Sequence, residues 1–118
     1  MKKVFYLNSC ETCRKIIAKF DLRGWELREI KKEPITQEEL EAMHKITNSY
    51  EDLFSKKSTQ IKLREIDLKT LTEEDYKELL LDHYTFLKRP VILTDNEIFV
   101  GSDKKTVDSL KAYFNGLN

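Results

Sequence analysis

Cys10 and Cys13 stand as Cys-x-x-Cys directly after an apolar run, Val4-Phe5-Tyr6-Leu7, and before an amphipathic stretch carrying Ile16, Ile17 and Phe20. Two thiols where a strand hands over to a helix point to redox chemistry. The reason is electrostatic: unpaired amide N–H groups and the macrodipole at a helix start stabilise a thiolate, so the first cysteine gains nucleophilicity near neutral pH. Arg14, next to the motif, adds positive charge. Arg89 precedes Pro90, and an arginine held beside a thiolate would lower its pKa and grip an oxyanion or carboxylate through two parallel N–H bonds. The competing reading of any one basic residue among 21 is a surface cation. The same choice applies to Lys56 and Lys57, as solvated loop charges or as further lining of an anion site.

The thiols have two other readings. Cys-x-x-Cys is half of a structural zinc site, which needs four ligands, and only His44 and His83 are left to complete it. These two lie far apart, without the usual spacing. Alternatively both cysteines are buried and inert, since unpaired Cys is among the most buried residue types. His44 and His83 fall on or near apolar helix faces, where histidine is mostly a packed residue, and neither is assigned a role.

The elements that must position the thiols follow from periodicity. Residues 3–7 read as a strand, and residues 11–22 as a helix with Cys13, Ile16, Ile17 and Phe20 at i, i+3, i+4, i+7. Gly24 is placed to end that helix, and 25–30 reads as a second strand. The resulting βαβ unit implies parallel strands with a right-handed crossover. Thr36 and Glu39 suit a capping box, with Ile35 and Leu40 as its staple, so a helix begins there and runs to about His44 or Ile46. Asn48 or Ser49 is placed to cap another short helix through Phe54; 55–59 reads as an exposed polar connection, and the signal weakens through 61–68. Leu71-Thr72-Glu73-Glu74-Asp75-Tyr76 repeats the cap and staple, with Leu79 and Leu80 on the buried face. Residues 90–94 and 97–100 read as a β-hairpin around Asp95-Asn96, followed by a helix from about Ser102 carrying Val107, Leu110 and Phe114. Phe20, Trp25, Tyr76 and Phe114 recur at core spacing.

The order βαβ, then ββα, with helices between, is that of an α/β thioredoxin-like fold. It predicts a single domain over 1–118 with a helical insertion at about 34–86. In such folds the X-Pro bond opening the third strand is often cis, and Arg89-Pro90 occupies that place. With 21 basic and 21 acidic residues there is no net basic footprint, which argues against direct nucleic-acid binding. No segment approaches the roughly 20 apolar residues that span a bilayer, and the first residues lack a secretory pattern, so the expected compartment is the cytoplasm, with no membrane partner.

Asn8-Ser9-Cys10-Glu11-Thr12-Cys13-Arg14, Phe86-Leu87-Lys88-Arg89-Pro90-Val91-Ile92 and Val100-Gly101 together resemble the arsenate reductase-like family of thioredoxin-fold proteins, which includes glutaredoxin-linked arsenate reductases, Spx regulators and YffB-type proteins. The resemblance implies Cys10 as nucleophile, Cys13 as resolving thiol and Arg89 as the anion-binding arginine, with Arg14, Lys57 and Pro90 lining the substrate position. No bound cofactor or metal is implied. Glutathione or glutaredoxin would serve as reductant, and a small oxidised molecule or oxyanion as substrate. Of the three arginines that hold arsenate in the reductases, only Arg89 matches; the second falls within Ser55–Lys57, where this chain offers lysine, and the third at Gly101. Lysine keeps charge but loses the planar fork, and glycine loses both. The Spx branch implies instead a thiol-disulfide switch acting on RNA polymerase through its α subunit.

Overall fold

The computed structural model describes residues 1–116, which fall into two units, Met1–Glu33 with the chain from Arg89 onward, and Pro34–Lys88. The first carries strands β1 (Lys3–Tyr6), β2 (Glu26–Glu29), β3 (Val91–Leu93) and β4 (Ile98–Val100) in the order β2-β1-β3-β4. β1 and β2 are parallel and the other pairs antiparallel. Helix α1 (Glu11–Ile17) is the crossover between β1 and β2, and α5 (Lys104–Asn115) follows β4. This is the mixed α/β, thioredoxin-like arrangement that the element order predicts.

Side-chain alternation divides the sheet. Val4 and Ile92 lie opposite one another in the register, and both pack with Ile16 of α1 and Leu110 of α5 in one buried cluster. Phe5 and Val91, one residue along, are fully buried on the other face. Around the first cluster Phe20, Trp25, Phe99 and Phe114 are half-buried rather than core.

That ring group also explains why α1 ends at Ile17 and not at residue 22. Lys19 and Phe20 donate their amides three residues back, to Ile16 and Ile17, the tightened geometry of a closing turn. This turn brings Phe20 onto Phe114 in a stack with centroids 4.5 Å apart. The hairpin turn is pinned by Thr94, whose amide donates to the Glu97 carbonyl at 2.9 Å and whose hydroxyl accepts the Glu97 amide at 2.8 Å.

The unit Pro34–Lys88 is helical: α2 (Gln37–Thr47), α3 (Thr59–Leu63) and α4 (Glu73–Asp82), with 3-10 turns at Glu51–Leu53, Leu68–Thr70 and Tyr84–Phe86. Capping boxes open α2, from Thr36 and Glu39, and α4, from Thr72 and Asp75. Asn48 closes α2 in the left-handed conformation (φ 56°) instead of starting a helix, and Glu51–Leu53 makes only a 3-10 turn whose first amides are held by the Glu73 carboxylate. Phe54 stacks on Phe86 at 5.2 Å and meets Tyr76 edge-on at 4.9 Å. His44 stacks on Tyr50 and His83 on Tyr84, so both histidines are packed residues. No helix among the described residues is long and apolar enough to cross a membrane.

Candidate redox site

Cys10 is the N-cap of α1. Its backbone is extended (φ −90°, ψ 105°), its carbonyl accepts the Arg14 amide at 3.1 Å, and its Sγ accepts the Cys13 amide at 3.4 Å. Serine, threonine, aspartate and asparagine usually fill this position, and their oxygen accepts the same amide. A cysteine there accepts through sulfur, so the bond that starts the helix also favours a thiolate over a thiol. Upstream, the Cys10 amide donates to the Leu7 carbonyl at 3.1 Å, closing a four-residue turn between β1 and α1.

Arg89 reaches this end of the sheet through strand pairing. Phe5 lies opposite Val91 in the antiparallel β1–β3 register. The residues after Phe5 and those before Val91 therefore leave the sheet at the same end, bringing the Leu7–Cys10 turn and Arg89-Pro90 together. The Arg89-Pro90 bond is cis, as the sequence predicts, and the Pro90 carbonyl accepts the Gly101 amide at 2.9 Å. Gly101 has φ +93°, a left-handed conformation that suits glycine, and presents no side chain where the resemblance assigns an arginine.

The two thiols are driven apart in acidity. Partial burial pushes Cys10 up, but the hydrogen bonds it accepts from the Cys13 thiol, the Cys13 amide and the Thr12 amide, together with the positive charge of Arg89, bring it below the ordinary thiol value. Cys13 is fully buried. Burial pushes it up, donation to Cys10 and the Cys10 charge push the same way, and the Leu7 backbone and Arg89 offset only part, so it stands at about 12. Sharing one proton in this direction leaves the accessible sulfur as the anion and the buried sulfur as its hydrogen-bond donor.

Cys10, Cys13, Arg89 and Pro90 are thus gathered in one unit. Arg14 is exposed on α1, and the guanidinium that acts on both thiols is that of Arg89. Lys57 is an exposed residue of the unit Pro34–Lys88, its amide 3.4 Å from the Ser55 hydroxyl, and its neighbour Lys56 is paired with Glu51 at 2.7 Å. The amide of Thr12 and the backbone of Leu7 belong to the site but carry no signal in residue type; only the placement of Cys10 as a helix cap could have indicated them. Among the described residues no group of three or more His, Cys, Asp or Glu side chains is arranged to hold a metal ion.

Residues 5–110 match the model of the ArsC family. The chain is 28% identical over 117 residues to the global transcriptional regulator Spx of Streptococcus agalactiae serotype V, covering 96% of this chain and 82% of that protein. It is 27% identical over 116 residues to Spx of Streptococcus pyogenes serotype M1, covering 96% and 84%. Among solved structures, an ArsC family related protein of Bacteroides fragilis superposes with TM-score 0.75 at 24% identity, over 92% of this chain and 96% of that one. An arsenate reductase of Vibrio cholerae superposes with TM-score 0.69 at 15% identity, over 93% and 97%. These structural likenesses establish the fold.

Proposed function

The chain belongs to the ArsC family, and on that premise we propose that it is a thiol-disulfide oxidoreductase in which Cys10 is the nucleophile, Cys13 the resolving thiol and Arg89 the cation that holds the thiolate or an anionic substrate. The opposed acidities of Cys10 and Cys13 carry this reading. Inert core cysteines would both be buried with raised pKa values; a catalytic pair needs one accessible thiolate and one protected partner.

The Cys10 thiolate attacks one sulfur of a disulfide R–S–S–R′, forming Cys10–S–S–R and releasing R′S⁻. Cys13 then loses its proton to the departing RS⁻ as its sulfur attacks Cys10, giving the Cys10–Cys13 disulfide and RSH. The substrate gains two electrons and the dithiol loses two. Two glutathione molecules restore the dithiol and leave as glutathione disulfide; glutaredoxin could supply the same electrons. Equilibration across glutathione redox buffers, followed by alkylation and intact-mass measurement, tests the reading. The expected result is a Cys10–Cys13 disulfide or a Cys10 adduct titrating near cytosolic potentials; both thiols remaining free throughout would overturn it. Cys10→Ser should abolish adduct formation and Cys13→Ser should trap it.

A second reading is favoured by the sequence relatives, which carry the name global transcriptional regulator Spx. There the same dithiol would act as a switch, and the partner would be the RNA polymerase α subunit. Pull-down with purified α subunit separates the two: binding that differs between reduced and oxidised protein favours the switch, and turnover with glutathione favours the enzyme. Arsenate as substrate is less well supported, because Gly101 offers no guanidinium and Lys57 no planar fork. Arsenate-dependent NADPH oxidation in a glutaredoxin-coupled assay tests it, with a blank rate as the expected result.

A further inference from the structure

In the unit Pro34–Lys88 a chain of hydrogen bonds ends on the half-buried His83 ring. The Gln60 amide donates to the Ser58 hydroxyl at 3.2 Å, the Ser58 and Thr85 hydroxyls lie 2.7 Å apart, and the Thr85 hydroxyl lies 2.8 Å from His83 Nδ1. The Thr85 amide also points at Nδ1, at 3.2 Å, so His83 is the N-cap of the 3-10 turn Tyr84–Phe86. An amide can only donate, which makes Nδ1 an acceptor and puts the proton of the neutral ring on Nε2. The polarity of the chain follows: Thr85 donates to the ring, Ser58 donates to Thr85, and Ser58 receives the Gln60 amide at the start of α3. The Ser58 side chain is therefore both the cap of α3 and the link that ties this helix to His83.

Helix α3 depends on such polar contacts because it buries no residue, and Leu63 at its end is 73% exposed. Its other anchor is Arg64, whose guanidinium meets the Asp82 carboxylate at 2.6 Å and lies over the Phe86 ring. We infer that His83 is a proton-sensitive latch for α3: the neutral ring holds the turn at Thr85 and, through Thr85 and Ser58, the start of the helix. A proton on Nδ1 sets donor against donor at the Thr85 amide. The ring must then leave that amide, the turn loses its cap, and the hydroxyl that bridges ring and Ser58 loses its fixed place. The surrounding charges push the same way. The segment Ser55–Arg64 carries Lys56, Lys57, Lys62 and Arg64 and no acidic residue, and Lys88 follows the turn. Asp82, at the end of α4, is already paired with Arg64, and Lys56 with Glu51. An imidazolium therefore adds positive charge beside a basic segment.

The test is amide hydrogen exchange of the full chain by NMR between about pH 7.5 and about pH 5, across which histidine side chains gain a proton. Each rate is divided by that of the same amide in an unstructured chain. Protection of the Thr85 and Gln60 amides is expected to fall roughly three- to tenfold on acidification, the worth of about one hydrogen bond, while the amides of α2 keep theirs. His83→Asn supplies an amide oxygen that accepts the same N–H and does not titrate, and should hold the protection constant. Thr85→Val removes the bridging hydroxyl and should leave Gln60 protection low and independent of pH. No fall in the wild type, or a fall of equal size in His83→Asn, would overturn the latch. Should the variants not fold, the nitrogen NMR shifts of the wild-type ring decide: in the neutral ring Nδ1 must be the bare nitrogen, and a proton found there would overturn the inference. None of these readouts involves either thiol.

Discussion

Replacing Cys10 by serine should leave a protein that thiol reagents barely touch, although one cysteine remains. With Cys13 at about 12, against an ordinary thiol at about 8.5, its thiolate fraction at pH 7 is lower by roughly three-thousandfold. Iodoacetamide reacts with the thiolate, so the rate falls in proportion before any steric hindrance is counted. Removing Cys10 also removes two of the causes that raise Cys13, the hydrogen bond and the neighbouring charge. Burial, the largest cause, stays, because Cys13 is 0% exposed. The Cys10→Ser protein should therefore react at least about a hundredfold more slowly than free cysteine at pH 7. The assay is alkylation of the reduced protein followed by intact mass, with the same protein in strong denaturant as control, where Cys13 should regain ordinary reactivity. Native Cys10→Ser alkylated within about tenfold of the free amino acid would refute the reasoning.

The same asymmetry sets a pH dependence of stability in the reduced protein. Cys13 holds its proton more tightly folded than unfolded, so its contribution is complete below the unfolded thiol pKa and is lost as pH rises toward about 12. The slope should approach about 1.4 kcal/mol per pH unit above pH ~8.5, and Cys13→Ala should flatten it in urea titrations between pH 8.5 and 10, before Tyr50, also pushed up to about 12, takes part. Cys10 has the opposite sign: its lowered pKa adds stability as pH rises toward the ordinary thiol value. Leu110→Ala opens a cavity in the cluster with Val4, Ile16 and Ile92 and should cost about 2–5 kcal/mol by urea unfolding. Thr36→Ala removes the hydroxyl that accepts the Glu39 amide at 3.0 Å and should cost about 1 kcal/mol, measurable by hydrogen exchange in α2.

Signals confined to a few neighbouring residues were legible in the sequence. Thr36 with Glu39, and Thr72 opening the acidic turn before Tyr76, announce the starts of α2 and α4 because a capping box is a contact across three residues. The thiols and the Arg89-Pro90 step were legible for a related reason: their residue types are restricted by chemistry and by backbone geometry. The length of α1 was not, since Phe20 keeps helical spacing and leaves the helix only to stack on Phe114, distant in the chain. Helix α3 was invisible because it buries no residue and so leaves no periodic trace.

The acidity of the site is consequently a property of the folded sheet, not of the Cys-x-x-Cys segment. Arg89 is close to the thiols only because Val91 pairs with Phe5, and the Leu7 and Thr12 backbone contacts exist only once β1 and α1 are formed. Unfolding removes all of these together. The Cys10 pKa then rises, the Cys13 pKa falls, and the two meet at the value of an ordinary thiol. A fold that separates the two thiols in this way ties redox reactivity to structural integrity: any substitution that loosens the β1–β3 pairing should reduce Cys10 reactivity and expose Cys13 in the same step, before the rest of the chain unfolds.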